Sequence, residues 1–163
     1  MLILAIDPGS TESAYCLMGS DAKPHLFAKV ANNDLNLIIR NYAPNLTAVV
    51  IERVASYGMP VGREVFDTCE WIGRFTQTAA DQKLPVEYVL RQEEKLAICK
   101  SPNANDATIR RALIDRFATH DFTNGKGTKK NPDFFYGFKA DIWSAYCVGI
   151  VWLYKRGYTK CLD

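Results

Sequence analysis

Apolar and polar positions along this chain repeat with two periods, and the places where the period changes mark the elements. Leu2, Ile3, Leu4, Ala5 and Ile6 form an unbroken apolar run, the pattern of a strand buried on both faces. Asp7 ends the run, and Pro8-Gly9-Ser10 is turn chemistry. Thr11, Ser13, Ala14, Tyr15, Cys16 and Leu17 then predict a second strand folding back as a hairpin. A third follows over His25–Val30, with Pro24 suited to a sheet edge. Thr47–Ile51 is another deeply buried strand, ended by Glu52, and Val86–Val89 is a short one after Pro85.

Helical spacing appears in four segments. Asn33–Asn41 places Leu35, Ile38 and Ile39 on one face, with Asn33 or Asp34 as cap and Pro44 as stop. Arg63–Ala80 carries Val65, Phe66, Cys69, Ile72, Gly73 and Phe75 at helical intervals. Ala107–Phe117 follows the capping run Asn103–Asp106, with Ile109, Ala112, Leu113 and Ile114 inward and Arg110, Arg111 and Arg116 outward. Lys139–Tyr154 is apolar nearly all round and predicts a buried helix. Between them, Val54–Gly62 is a loop rich in glycine and proline, in which Tyr57 and Met59, like Trp71 beyond it, are expected to pack. The charges of Arg91–Lys100 (Arg91, Glu93, Glu94, Lys95) are expected to form a solvated face. Thr123–Gly137 is a flexible cationic loop carrying Lys126, Lys129 and Lys130, and the tail from Lys155 is expected to fray.

Composition narrows the class. The 163 residues, 48% apolar and 23% charged, fit one soluble α/β domain (1–163) that needs no covalent staples. A net charge of +2 means that any nucleic-acid surface must come from local clusters. The five cysteines, Cys16, Cys69, Cys99, Cys147 and Cys161, contain no CxxC pair and read as reduced core thiols. The N-terminal apolar run is too short for a signal peptide or a membrane span, so a cytoplasmic protein is expected.

Three acids then stand out by position. Asp7 and Glu52 each close a buried strand, and Asp141 opens the buried final helix, with Ser144 on the same helical face. Each has an ordinary explanation alone: an aspartate before Pro-Gly opens a turn, a glutamate ends a strand, and an acid suits a helix start. Together they converge if the two strands are parallel neighbours, since sites of open α/β sheets lie beyond the strands' carboxyl ends. Carboxylates that close repel unless a cation sits among them, and Mg²⁺ suits such oxygen ligands. The lysine loop either holds phosphates or is simply solvated; it lacks the GxxxxGK[ST] of a Walker A motif.

The segments IDPGSTESAYCL, VVIERVASYGMPVG, NDATIRRALIDRF and GTKKNPDFFYGFKADIWSA resemble the RuvC-like Holliday junction resolvases of the ribonuclease H-like superfamily, most of all divergent phage and prophage members. The resemblance spans nearly the whole chain. It implies a mixed five-stranded sheet flanked by helices, a homodimer, and Mg²⁺-dependent nicking of branched DNA, with Mn²⁺ able to substitute. By the same resemblance, Asp7, Glu52 and Asp141 are the first three acids of the metal site. Lys126, Lys129, Lys130, Arg63, Arg110 and Arg111 are the expected phosphate contacts. Symmetric nicking of a junction calls for a two-fold dimer, for which the 63–80 helix offers Phe66, Trp71 and Phe75. The chain departs from the family at Ser144, where cellular members carry a further acid; Ser144 can still hold a metal-bound water. Two alternatives stand beside the nuclease: a non-catalytic or weakly active branched-DNA-binding module, and an actin-like or sugar-kinase-like ATPase fragment. The latter needs a second domain and a glycine-rich adenosine motif, and neither is found in this sequence.

Overall fold

The structure is a computed structural model and describes residues 1–159. In chain order the elements are β1 (Leu2–Asp7), β2 (Glu12–Gly19), β3 (Pro24–Ala31), α1 (Asn32–Tyr42), β4 (Ala48–Arg53), α2 (Arg63–Asp81), β5 (Val86–Leu90), α3 (Arg91–Cys99), α4 (Asp106–Phe117) and α5 (Ile142–Lys155). A single 3₁₀ turn, Ala43–Asn45, carries Pro44 and closes α1. The five strands form one mixed sheet in the order β3-β2-β1-β4-β5. β1 to β3 are an antiparallel meander, and β4 and β5 run parallel to β1.

Strand side chains alternate between faces, and here each face has its own core. Ile3 and Ala5 of β1, with Ala48 and Val50 of β4, pack under α5. Leu4 and Ile6, with Val49 and Ile51, pack under α1 and α2. Helix α5 is buried nearly all round and crosses β1 and β2 closely at Gly149. A Cβ there would lie 2.1 Å from the Met18 sulfur and 3.2 Å from the Ala5 methyl. Among the described residues, no helix is long and apolar enough to cross a membrane.

Several expectations need correction. The start of α1 is not capped by Asn33 or Asp34: its N-cap is Ala31, with no side-chain bond. Asn32 is instead buried and turned toward the first hairpin. In α2, Ile72, Phe75, Thr78 and Ala79 face the core, whereas Phe66 and Cys69 are exposed. The first half of that helix thus projects its apolar stripe outward. Tyr57 and Met59 do not pack either, being 59% and 72% exposed. Arg91–Cys99 is a helix, and Glu94 is fully buried in it rather than solvated. The last helix starts at Ile142, leaving Lys139 and Ala140 outside. The stretch after it is tethered as far as Thr159: Tyr158 stacks on Trp152, and Arg116 donates to the Thr159 hydroxyl at 2.6 Å. Cys161 lies outside the described residues.

Candidate active site

The β1–β4 pairing sets the site. Ile6 stands opposite Ile51 in parallel register, so the next residues, Asp7 and Glu52, leave neighbouring strands side by side. Both continue the face that packs under α5. The Asp7 turn is held from behind by a closed ring of hydrogen bonds. The Gly9 N–H donates to Ser13 Oγ (3.1 Å), that hydroxyl donates to Asn32 Oδ1 (2.6 Å), and Asn32 Nδ2 donates to the Gly9 carbonyl (2.9 Å). This is why Asn32 is buried, and it fixes where Asp7 points.

The Asp7 and Glu52 carboxyls lie within hydrogen-bonding reach of each other, and the pairing favours the neutral form of Asp7 and the charged form of Glu52. Burial, then the adjacent Glu52, and more weakly Asp141 and Glu94, push Asp7 up to about 9. Burial also raises Glu52, against the pull of the nearby Arg91 guanidinium. Asp141 is the N-cap residue of α5 but makes no side-chain cap bond. Its Oδ2 accepts a 2.6 Å hydrogen bond from Lys29 Nζ on β3, a half-exposed ion pair worth about 0–1 kcal/mol. Ala140, just before it, adopts a left-handed φ of 42°, a strained turn that delivers Asp141 to the site. Ser144 lines the same cleft as Asp141, together with Arg91, Asp106, Arg110 and Trp143.

The other basic residues occupy different settings. Arg110 lies over the Trp143 ring at 5.3 Å with its Nε buried and unpartnered, so it belongs to the cleft wall rather than the outer face. Arg111 pairs with Asp115 (2.7 Å) and Asp121 (3.0 Å). Arg63 is exposed and lies 3.7 Å from Asp67. Lys129 and Lys130 are exposed and Lys126 is half-buried. The loop that bears them is built rather than slack. Thr128 N–H donates to the Asn131 carbonyl, Asp133 N–H to the Lys126 carbonyl, and Phe135 N–H to the Gly125 carbonyl. Gly127 has a φ of 68° and would set a Cβ 2.3 Å from the Asn131 carbonyl oxygen, so no other residue fits there. Asp133 accepts backbone N–H bonds from Thr119, His120 and Phe134, which lower it to about 2. Phe135 and Phe138 are fully buried against Trp143 and Tyr146, fastening the loop to α5.

Three participants went unread in the sequence. Lys29 follows Phe27 by two on β3, so it shares the face that looks toward α5. Glu94 stands four residues before the buried Ile98, on the inward face of α3. Arg91, at the start of that helix, ion-pairs with both Glu94 and Asp106.

Among the described residues, no three His, Cys, Asp or Glu side chains close around one point as a ready-made metal cage. The charges show why. Burial and the neighbouring Glu52 favour the neutral form of Asp7, Asp141 is held by Lys29, and Glu94 by Arg91. Each negative group has found a local substitute for a cation. The donors are all hard carboxylate oxygens, the kind that Mg²⁺ takes, so the residues fit such an ion in kind.

No protein-family model matches the chain, and no curated protein matches it either. Solved structures do. The Thermus thermophilus RuvC structure matches at a TM-score of 0.64 and 16% identity, covering 99% of this chain and 100% of its own. T. thermophilus RuvC in complex with a Holliday junction substrate matches at 0.68 and 15%, covering 99% of each. The yeast mitochondrial Holliday junction resolvase Ydc2 matches at 0.59 and 13%, covering 96% of this chain and 79% of its own. Likeness at these identities speaks for architecture: the chain has a RuvC-like fold along almost its whole length.

Proposed function

We propose that this chain is a structure-selective endonuclease that nicks four-way or otherwise branched DNA, with its site in a single nuclease domain over residues 1–163. The observation that carries this reading is the pair Asp7 and Glu52, within hydrogen-bonding reach at the ends of parallel neighbouring strands with Asp141 close by. Its support includes the shared fold with a RuvC solved on a Holliday junction. Asp7, Glu52 and Asp141 would hold Mg²⁺, or Mn²⁺ in its place, which when bound activates water and neutralises the charge on the leaving oxygen. The chain's own part is to place and charge those oxygens. Asp7 must ionise, against the burial and the Glu52 charge that disfavour it, and Asp141 must loosen from Lys29, a release the weak half-exposed pair permits. Lys126, Lys129, Lys130 and Arg63 would hold backbone phosphates without reading bases. Arg110 would do so from the cleft wall. Arg111 must first exchange its two aspartates, which makes it the poorest of the six contacts. Ser144 offers a hydroxyl beside Asp141.

The Lys29–Asp141 bond and the absence of an acid at 144 favour a second reading, a branched-DNA-binding module with little or no cutting. A panel of labelled four-way junctions, Y-forks and duplexes, incubated with Mg²⁺, Mn²⁺ or EDTA, separates the two. Divalent-dependent paired nicks on branched substrates are expected. Tight junction binding with no nicks under any metal would leave the binding module.

Paired nicks require two sites, so we propose a homodimer. Its surface is not the one expected from sequence in full. Phe75 is 0% exposed within the subunit, and Trp71 packs on the same core under an Arg74 guanidinium at 4.5 Å. Phe66, 60% exposed at the open end of α2, remains available. Sedimentation at micromolar protein should show a dimer for the wild type and a shift toward monomer for Phe66→Ser. A monomeric wild type that cuts both strands in one binding event would end the dimer proposal.

A further inference from the structure

Glu94 is a carboxylate in a place where the core alone has no use for one. Its side chain is 0% exposed, on the face of α3 that also buries Ile98. One oxygen, Oε2, is held by Arg91, while Oε1 accepts no hydrogen bond. Its surroundings deepen the imbalance. Glu52 lies near enough that its charge disfavours ionisation of Glu94, and Asp7 feels Glu94 in turn. Arg91 faces this acidic group, and its charge is further divided with Asp106. Across from Glu94 is Cys147 of α5, one helical turn beyond Ser144.

The arginine holds one oxygen of this carboxylate and the Cys147 thiol offers the group only a weak donor, so Oε1 is left without a strong partner in a dry, acidic setting. Buried acids are otherwise paired or bound to metal. We infer that Glu94 is a fourth carboxylate of the site, supplied from α3 where position 144 of α5 carries only a hydroxyl, and that its free Oε1 helps to hold a divalent cation beside Glu52. The inference rests on the metal-dependent reading above. It also gives Arg91 a purpose as a positioning residue, since its grip on Oε2 turns the buried Oε1 away from Arg91.

The test is Mn²⁺ binding to the full chain without DNA, counted from the free-ion paramagnetic resonance signal, with thermal shifts on Mg²⁺ addition alongside. Glu94→Gln keeps an oxygen for Arg91 and removes the charge. It is expected to weaken Mn²⁺ binding at least tenfold and to shrink the Mg²⁺ thermal shift, without lowering the melting temperature of the metal-free protein. Adding Ser144→Asp to Glu94→Gln returns an acid one turn away and should restore binding to within about threefold, a rescue that a purely structural glutamate would not show. The carboxyl carbon resonance of Glu94 in the wild type gives a check that needs no variant: it should move on Mg²⁺ titration while that of Glu93 stays. Asp7→Asn separates the failures. If Asp7→Asn loses Mn²⁺ binding while Glu94→Gln binds as the wild type does and its resonance is still, this inference falls and the functional reading stands. No saturable binding to the wild type would end both.

Discussion

Replacing Asp7 by Asn should cut nicking by ~10²–10³-fold, the scale of losing one strong contact to charge that develops during reaction. Binding of the uncut junction should hold or tighten, because one negative charge facing phosphate disappears. The two effects are read on one gel series, by nicking rate and by mobility shift. A variant that still cuts would remove Asp7 from the chemistry.

The same substitution has a second signature, free of DNA. In the folded metal-free chain burial, then the adjacent Glu52, push Asp7 up to about 9 from an ordinary 3.8. Between those values the folded chain keeps a proton that the unfolded chain has released, so stability declines as pH rises through this interval. Asn cannot ionise, and its amide can donate to Glu52 as the protonated acid does. Asp7→Asn should therefore melt higher than the wild type at pH 8 without metal, by ~4 °C or more, given roughly 2–4 °C per kcal/mol at this chain length. The difference should vanish below about pH 3, where the wild type is neutral at this position both folded and unfolded. Equal melting curves across the pH range would mean that Asp7 is solvated and not paired with Glu52.

Lys129 and Lys130, changed together to Ala, should weaken binding to every branched DNA alike. Each lysine on a phosphate adds about 0.9 to the slope of log affinity against log salt, so the double variant should flatten that slope by about 2. The loop's shape should survive, because Asp133, Gly127 and Phe135 hold it and neither lysine takes part in those contacts. Circular dichroism and melting unchanged from the wild type would confirm that the loss is electrostatic. An unchanged salt slope would reduce the loop to solvated surface.

Much of this fold could be read from residue pattern because its signals are local. The continuous apolar runs of β1 and β4 announce burial on both faces, and the acids that end them announce the site. The edge position of β3 follows from Pro24. What escaped notice depends on neighbours distant in sequence. Glu94 looks like any charge on a polar helix until α5 and β4 close over it. Lys29 sits among exposed residues of an edge strand, and its partner is 112 positions away. The outward turn of Phe66 has the same origin: helical spacing groups it with Phe75, but only the second half of α2 reaches the sheet. The lysine loop was misjudged for another reason. Its glycines and lysines suggest slackness, while Phe134, Phe135 and Phe138 are the signal of an anchor.

Helix α5 also governs when this protein can exist during its own synthesis. The sheet face formed by Ile3, Ala5, Cys16, Met18 and Val50 is covered by a helix translated long after the strands beneath it. At ~5–20 residues per second, roughly 7–27 s pass between the addition of Asp7 and that of Asp141. Through that interval a nascent chain can pair its strands, yet it has one apolar sheet face bare, a natural target for chaperones. It also has nowhere to gather its three acids. On the nuclease reading proposed above, a nascent chain still lacking α5 would be unable to cut, and that capacity would arrive together with this layer of the core.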